Sequence, residues 1–345
     1  MTGRARVASA AMAAGAVAVG LAGRVVWRRR HATIGDRGWA PPPEDLGSVT
    51  AADGTPLAVR AAGDPAAPVL IFAHGFSLDM TTWREQWSDL SSSFRCVLFD
   101  HRAHGLSGMP DTGDLTVRSM GSDLAEVIEG VAPGRRVFLV GHSMGAMAIL
   151  ALAERRPELF GPRVVGATLI GASPSDLLRG AMGGVTELLR PRLGSLAAAA
   201  RRVDRLRRAV LAAPRDVPAI VARITQFGPD APDELVEHVL RLAERSPSIV
   251  WTEGLSQFVS LDLRHALTRV TVPVLVAVGD QDRVTPPAAA VELAAALPDG
   301  HLFLVEGAGH LAALERPDRL NPELRAFAAA AFAAGGGGRR KEGVA

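Results

Sequence analysis

The sequence contains no tyrosine, only one cysteine, and few aromatic residues, which make up 5% of its 345 positions. Without tyrosine, no mechanism can use a phenolic acid, and a lone cysteine cannot form an internal disulfide bond. Cys96 lies in an apolar run that predicts a core strand, so we expect a buried thiol. The formal net charge is only +2, and this balance does not indicate a nucleic-acid partner.

Two kinds of ligand site are also missing from the sequence. No group of His, Cys, Asp or Glu has the spacing of metal ligands. The glycine-rich turn at residues 141–145 lacks the lysine that a phosphate-binding loop requires. We therefore predict neither a metal nor any other cofactor. Apolar side chains, by contrast, make up 48% of the chain, enough for one large core with an inserted subdomain.

An apolar run occupies residues 7–27, near the start of the chain. It is long enough for one membrane span, and arginines flank it on both sides. We expect a membrane anchor, and because more arginines follow the run than precede it, the rest of the chain should lie in the cytoplasm. The alternatives are a soluble helix and a cleaved signal, which would make the protein secreted. The Arg, Val and Trp residues at positions 24–28 fit a signal cleavage site poorly.

Composition and periodicity divide the chain into five parts. Residues 1–34 hold the apolar run and its basic flank, residues 35–46 form a proline-rich linker, and residues 334–345 form a glycine-rich basic tail that we predict to be disordered. Short apolar runs alternate with helical patterns in the core, residues 47–172 and 262–333. Residues 173–261 show helical spacing without a convincing strand, which predicts a helical cap.

The alternation of strands and helices predicts an α/β fold, a doubly wound and mostly parallel sheet. Ligands of such sheets bind outside the carboxyl ends of the strands. Four polar residues directly follow predicted strands and should meet at that edge: His74, Ser143, Asp280 and Asp282. The cap over this edge carries nine arginines between positions 190 and 223. They indicate either a solvated face or contact with anionic lipid headgroups.

The stretch Gly141-His142-Ser143-Met144-Gly145 joins an apolar strand pattern to an alanine-rich helix pattern. A sharp strand-to-helix turn would hold the Ser143 hydroxyl clear of the strand in a strained conformation. The two glycines lack a Cβ, so strand and helix can approach closely. The Met144 amide, at the start of the helix, would point to the place where an oxyanion forms. An ordinary glycine-rich turn with a surface serine is the alternative.

Ester cleavage by a serine also requires a base, and an acid that fixes the tautomer of that base. His310 and Asp282 are the candidates, each in a loop after a predicted strand and each preceded by small residues. Asp280, in the same turn as Asp282, could also reach His310. The order Ser143, Asp282, His310 along the chain differs from that of the other serine-hydrolase types.

With these motifs the chain resembles the α/β-hydrolase superfamily, in its capped branch of esterases and lipases, C–C hydrolases and cofactor-free haloperoxidases. The resemblance covers about residues 49–332. It implies that the amides of Phe76 and Met144 form an oxyanion hole and that Asp282 is the acid. The loop around Ala103 resembles the family's loop after the next strand, with alanine where glycine is usual.

The remaining histidines of these motifs receive other expected roles. His142, beside the nucleophile, is expected to touch substrate. His74 should support the oxyanion loop by a hydrogen bond, while His101 and His104 should order their own loop.

The leading hypothesis is a hydrolase that cleaves carboxylic esters with an apolar acyl group through an acyl-enzyme on Ser143, because Leu, Met, Ala and Val dominate the cap. The alternatives are C–C bond hydrolysis or perhydrolysis on the same triad, and an inactive membrane-tethered binding protein. Epoxide hydrolase and dehalogenase chemistry is disfavoured, since those enzymes of the superfamily carry aspartate in place of this serine. The expected partners are a small apolar ester and a membrane, without nucleic acid.

Overall fold

The computed structural model describes residues 39–175, 196–214, 216–258 and 261–336. Eight strands form one sheet in the order β1-β2-β4-β3-β5-β6-β7-β8. β2 pairs antiparallel with β1 and β4, and every other pair is parallel, which confirms the predicted fold class. The strands are β1 Glu44–Thr50, β2 Pro56–Ala62, β3 Val69–Ala73, β4 Arg95–Phe99, β5 Val137–His142, β6 Val164–Ile170, β7 Val274–Gly279 and β8 Gly300–Val305.

Ten α-helices are described in these ranges, and a π-helix, Val250–Gly254, leads directly into one of them, α7. In the core they are α1 Arg84–Leu90, α2 Val117–Val131, α3 Met144–Arg155, α8 Pro287–Ala296, α9 Ala312–Glu315 and α10 Pro317–Gly336. In the cap they are α4 Leu196–Leu211, α5 Asp216–Gln226, α6 Asp233–Arg245 and α7 Leu255–Phe258.

The five central strands, β3 to β7, are buried along their whole length. Helices on both faces of the sheet explain this burial. One apolar cluster packs α2 and α3 against the sheet, and a second packs α1 and α10 against its other face. Each fully buried Leu or Phe in such a cluster contributes about 1.5–3 kcal/mol. Cys96 in β4 is buried, as expected.

The cap is helical where it is described, and α4, α5 and α6 confirm the three helical patterns of the sequence. A single bridge pairs Ser175 with Asp262, where the chain leaves the core and returns to it. The cap is seated on the core by an apolar cluster that joins α5 and α6 to Leu78, Leu311 and Leu314.

Several element ends differ from the prediction. β1 begins at Glu44, so the predicted linker ends earlier than residue 46, because Glu44 pairs with Ala61 in the sheet and its carboxylate binds the buried Arg95. α10 begins at Pro317, since the first helical position loses nothing when its amide is missing. The same helix continues through Gly336, into the first residues of the predicted tail.

Two predicted segments fall largely outside the described ranges. The apolar run at residues 7–27 lies outside them, as does the tail from residue 337 onward. Among the described helices, none combines the length and the apolar character that crossing a membrane requires.

Candidate active site

Ser143 occupies a sharp turn between β5 and α3. Its φ of +49° and ψ of −111° are strained for a residue other than glycine. A Cβ on Gly145 would lie 2.1 Å from the carbonyl oxygen of Ala73, and one on Gly141 would lie 2.6 Å from the amide nitrogen of Ala146. Both glycines are therefore required by the close approach of strand and helix, as the sequence predicted. The Ser143 amide donates to the carbonyl of Ile170, which ties the turn to the end of β6 (2.8 Å).

His310 and Asp282 are brought together by the loops that follow β8 and β7. The His310 Nδ1–H donates to Asp282 Oδ2 over 2.9 Å, and both side chains are buried. Burial alone would raise the pKa of Asp282, but the attraction of His310 and the hydrogen bonds from His310 and Thr285 hold it below its ordinary value. The carboxylate is thus ionised at neutral pH, and it fixes the His310 tautomer with Nε2 free to accept a proton.

Asp280 does not contact His310. Its carboxylate instead accepts the amide of Gly307 over 2.8 Å, at the start of the loop that leads to the histidine. Of the two candidate acids, the structure places only Asp282 against the imidazole.

The His310 ring lies over the end of β6, next to the turn that carries Ser143. A Cβ on Gly171 would lie 3.1 Å from His310 Nδ1, and Gly171 directly follows Ile170, the partner of the Ser143 amide. Gly171 has a φ of +56°, a conformation that glycine adopts without strain. The three candidate residues therefore gather at the carboxyl edge of the sheet, where they were expected.

His142 is buried between the oxyanion loop and His310. Its Nε2–H donates to the His310 carbonyl over 2.9 Å, and burial followed by repulsion from His310 lowers its pKa to about 3. The neutral ring thus supports the backbone of the loop that carries His310. This hydrogen bond is in addition to the substrate contact that the sequence predicted for His142.

The amides of Phe76 and Met144 follow two adjacent parallel strands, β3 and β5. Met144 is the first residue of α3, so its N–H has no acceptor within the helix. The Phe76 amide has no hydrogen-bond acceptor among the residues that the structure describes. Two unoccupied donors at the edge of the Ser143 turn suit an oxyanion site.

Neutral histidines support the loop that carries Phe76 by hydrogen bonds. His74 Nε2 accepts the His101 amide over 3.0 Å, and His104 Nε2 accepts the Ser77 amide over 3.2 Å. Burial lowers the pKa of His104 to about 4, and burial with repulsion from His104 lowers that of His101 to about 3. His74 also donates from Nδ1 to the Gly75 carbonyl over 2.8 Å, which fits its expected support of the oxyanion loop. Of the two histidines expected to order their own loop, His104 donates to the Arg102 carbonyl over 2.9 Å, whereas neither ring nitrogen of His101 has a partner among the described residues.

The cap covers the oxyanion loop through aromatic contacts. The Phe76 ring makes edge contacts with Trp251 in the π-helix and with Phe258 in α7, at centroid distances of 4.9 and 5.4 Å. Arg207 of α4 lies over the Trp251 ring at 5.0 Å. A substrate at Ser143 would therefore meet an apolar, aromatic lining next to the oxyanion site.

Two contributors to the site were not predicted from the sequence. Thr285 donates its hydroxyl to Asp282 Oδ2 over 2.7 Å, and its place three residues after an aspartate in a turn was a usable signal. Glu315 accepts the amides of Gly309 and Gly228, next to His310 and in the cap respectively. The second contact joins positions 87 residues apart, and no local pattern predicts it.

No group of metal-ligating side chains lies within the ranges that the structure covers. The geometry consists of a strained serine, a histidine oriented by a carboxylate, and two open amides. This arrangement can perform nucleophilic acyl transfer without an added group.

Comparison with known proteins agrees with this fold. A model described as "Alpha/beta hydrolase family" matches residues 70–323. The chain is 29% identical to a non-heme chloroperoxidase of Streptomyces lividans over 82% of this chain and 99% of that protein. A thermophilic esterase of Thermogutta terrifontis has a similar fold, with a TM-score of 0.66 and 24% identity over 84% of this chain and 99% of the esterase. A membrane phospholipase A, described as a bacterial virulence factor, gives a TM-score of 0.67 and 23% identity over 95% of this chain and 97% of its own.

Proposed function

The chain belongs to the α/β-hydrolase family of enzymes, and we propose that it cleaves carboxylic esters with an apolar acyl group through Ser143, His310 and Asp282. The observation that carries this proposal is the 2.9 Å hydrogen bond from His310 to Asp282 beside the strained serine turn. An oriented imidazole next to the hydroxyl of a serine in a strained turn is the arrangement that activates a serine nucleophile.

In the proposed reaction, Ser143 Oγ bonds to the ester carbonyl carbon while its proton passes to His310 Nε2. Asp282 stabilises the imidazolium, and the amides of Phe76 and Met144 bind the oxyanion of the tetrahedral intermediate. The intermediate collapses by breaking the bond to the alcohol, which takes the proton from Nε2. Water then attacks the acyl-enzyme by the same route and releases the carboxylic acid.

One apolar region supports an apolar acyl group. Phe76 packs against Trp251 and Phe258 of the cap, so an aromatic surface lies over the oxyanion loop.

Perhydrolysis on the same triad is a second candidate, because the chloroperoxidase relative aligns over 99% of its own length. Hydrogen peroxide would then replace water at the acyl-enzyme. Comparing hydrolysis with peroxide-dependent halide oxidation on one enzyme preparation would rank the two reactions. C–C bond hydrolysis uses the same residues, and nothing in the geometry favours it.

The test is Ser143→Ala combined with a fluorophosphonate probe. Wild-type protein should react with the probe at Ser143 and hydrolyse p-nitrophenyl esters of graded chain length, with the best acyl length reporting the pocket. The alanine variant should keep its fold and lose several orders of magnitude in kcat. Near-parental turnover by this variant would end the serine-hydrolase proposal, and an unlabelled, inactive wild type would favour a binding protein.

We also propose that residues 7–27 anchor the protein in a membrane with the enzyme domain in the cytoplasm, on the strength of their apolar sequence and arginine flanks. The full chain should then resist carbonate extraction from membranes. Full-length soluble protein of unchanged mass would contradict the anchor, and a shortened N-terminus would favour a secreted protein.

A further inference from the structure

The cap helix α4 buries an aspartate and exposes two of its large apolar side chains. Asp204 is buried, at 2% exposure, and pairs with Arg207 at 2.8 Å and Arg208 at 3.1 Å. Leu206 on the same helix is 65% exposed, and Val203 is 40% exposed. An ordinary surface helix of a globular protein has the opposite arrangement.

Helix α5 buries the apolar residues Pro218 and Ala222, and its exposed face is also apolar, without any exposed charge. Its exposed residues are Val217, Val221, Ile224 and Thr225. The three apolar residues have the spacing i, i+4, i+7 and form one stripe along the helix. Leu211, at the end of α4, lines the same groove as residues of α5, so the two helices adjoin.

The charge beside these stripes is of one sign. Residues 201–211 of α4 contain five arginines and a single acid, the buried Asp204. Arginines at positions 201, 202, 205 and 208 are exposed. Exposed apolar side chains next to basic ones are typical of helices that lie in the headgroup region of anionic membranes.

The first described residue, Trp39, lies against the cap. Trp39 stacks on His238 of α6 with a centroid distance of 3.9 Å and an interplanar angle of 10°. Eleven residues separate Trp39 from the end of the apolar run at residue 27. Since extended chain spans at most about 3.5 Å per residue, a bilayer that holds the run lies within about 40 Å of this point on the cap.

We propose that the outward faces of α4 and α5 dock onto an anionic lipid bilayer. These faces, the cap patch, consist of Val203, Leu206, Val217, Val221 and Ile224 with Arg201, Arg202, Arg205 and Arg208. The proposal rests on the proposed N-terminal anchor only for the nearness of the bilayer, and it is independent of the ester chemistry. Residues 176–195 of this chain are a poorer occupant because they carry three arginines and two acids, so that their net charge has the same sign as that of the patch.

The chain offers a clean way to test the patch with a fluorescent probe. Cys96 is buried and burial raises the pKa of its thiol to about 12, so a cysteine introduced on the surface is labelled selectively. Leu206→Cys and Ile224→Cys place an environment-sensitive nitrobenzoxadiazole label on the patch. Leu304→Cys is the matched control, since Leu304 is an exposed leucine of β8, outside the cap.

The full-length labelled proteins are mixed with vesicles of equal parts phosphatidylglycerol and phosphatidylcholine that carry brominated acyl chains. Both cap labels should shift to the blue and be quenched roughly twofold or more, with the Leu304 label unchanged. Vesicles of phosphatidylcholine alone, or high salt, should weaken the effect. Replacing Arg202 and Arg205 by Gln should shift the docking equilibrium about fivefold toward water for each arginine.

Other outcomes would overturn the proposal and identify the real occupant. Labels that are already shielded without vesicles would indicate a segment of this chain, and a shift that depends on protein concentration without lipid would indicate a second copy. Vesicle-bound protein with cap labels in water would reject docking while leaving the anchor intact, and failure to bind vesicles would reject both. Hydrolysis of a soluble ester by the same preparations reports the proposed chemistry separately.

Discussion

The loop that carries His310 and the loop that carries Phe76 are each held by a carboxylate that accepts two backbone amides. The first carboxylate, Glu315, is half-buried, and the second, Asp100, is buried. Glu315 accepts amides on the histidine side, from Gly309 at 3.0 Å and from Gly228 of the cap at 2.6 Å. Asp100 accepts amides on the oxyanion side, from Met80 and Leu106, both at 2.7 Å. Because Gly228 belongs to the cap and both partners of Asp100 belong to the core, the histidine loop depends on how the cap is seated. The oxyanion loop depends on the core.

A further contact strengthens this difference. The His310 amide donates to the carbonyl of Gln226, the last residue of α5, over 2.8 Å. Among the described residues, the cap packs on the oxyanion loop through the aromatic contacts of Phe76 and the apolar contacts of Leu78. The cap's hydrogen bond on this side, between His238 and Thr81 over 3.0 Å, lies after the loop. A displaced cap should therefore misplace the general base before it disturbs the oxyanion site.

The two carboxyl groups that hold the loops, Glu315 and Asp100, also differ from Asp282 in the direction of their pKa shifts. Burial raises the pKa of Glu315 to about 7, and burial with repulsion from Asp79 raises that of Asp100 to about 7. Asp282 has an attractive partner, and its pKa is lowered despite burial. The site thus contains one acid, Asp282, whose surroundings favour the ionised form. It also contains two carboxyl groups, Glu315 and Asp100, whose surroundings favour the protonated form.

Asp282→Asn should have the largest effect, because it removes the charge that orients and stabilises the imidazole while keeping the size of the side chain. We expect kcat on a soluble ester to fall by roughly 10³–10⁴ with KM little changed. Asp280→Asn is the matched control and should cost only about 1 kcal/mol of stability, from the weakened bond to Gly307. Steady-state kinetics and thermal melts on both variants separate the two roles. An inactive Asp280 variant beside an active Asp282 variant would reverse the assignment.

Asp100→Asn should remove the pH dependence of stability that ionisation of the buried Asp100 carboxyl gives to the wild type. The folded pKa is raised from 3.8 to about 7, so the stability from this group is fully present below about pH 4 and is lost as the pH rises toward 7. The wild type should therefore lose about 2 kcal/mol relative to the variant between pH 5 and pH 8. Chemical denaturation of both proteins at the two pH values measures this change. A constant difference would show that Asp100 is already ionised at pH 5.

Glu315→Gln tests the dependence of the histidine loop on the cap. The glutamine amide would face one of the two backbone N–H groups, so a hydrogen bond is lost and His310 shifts. We expect kcat to fall about tenfold, with a smaller change in KM and in the melting temperature. Glu306→Gln, an exposed acid in the same loop, is the control and should behave as wild type. If the Glu315 variant has a lower melting temperature but keeps its kcat, the residue contributes to stability and not to the position of His310.

Much of the core could be predicted from the sequence because its strands are buried on both faces. β6, residues 164–170, coincides with one of the short apolar runs of the core sequence and is buried along its whole length. The serine turn was also predictable, because it belongs to a local pattern of glycines after a strand. The local pattern left Asp280 and Asp282 both open as the acid, and the choice of Asp282 came from the family resemblance.

The features that could not be predicted depend on how the cap packs, through contacts between residues that are remote in sequence. Periodicity shows that α4 is amphipathic, but it does not show that Asp204 faces inward and Leu206 outward. That choice is made by Arg207, which binds Asp204 and the carbonyl of Ala243 in α6. Glu315 was missed for the same reason, since its cap partner Gly228 is remote in sequence.

Ala103→Gly should have the smallest effect and tests the one departure from the family pattern on the oxyanion side. Ala103 has a φ of +62°, so the backbone keeps the left-handed conformation in which glycine is usual. Glycine would relieve strain of about 1 kcal/mol, but it would lose a buried methyl group worth about 0.8 kcal/mol and gain freedom in the unfolded chain. The methyl packs in a cluster with Leu115 of the core and Val250 of the cap.

These opposing contributions nearly cancel, so we expect the free energy of unfolding to change by less than about 1 kcal/mol and kcat to stay unchanged. Gly105→Ala is the contrasting variant in the same loop, because a Cβ there would lie 2.0 Å from Asp100 Oδ2 and the amide contacts of Asp100 would break. Urea denaturation of both variants measures the contrast. A loss above about 2 kcal/mol for Ala103→Gly would mean that this methyl, through Val250, fixes the cap to the oxyanion side more firmly than aromatic packing alone suggests.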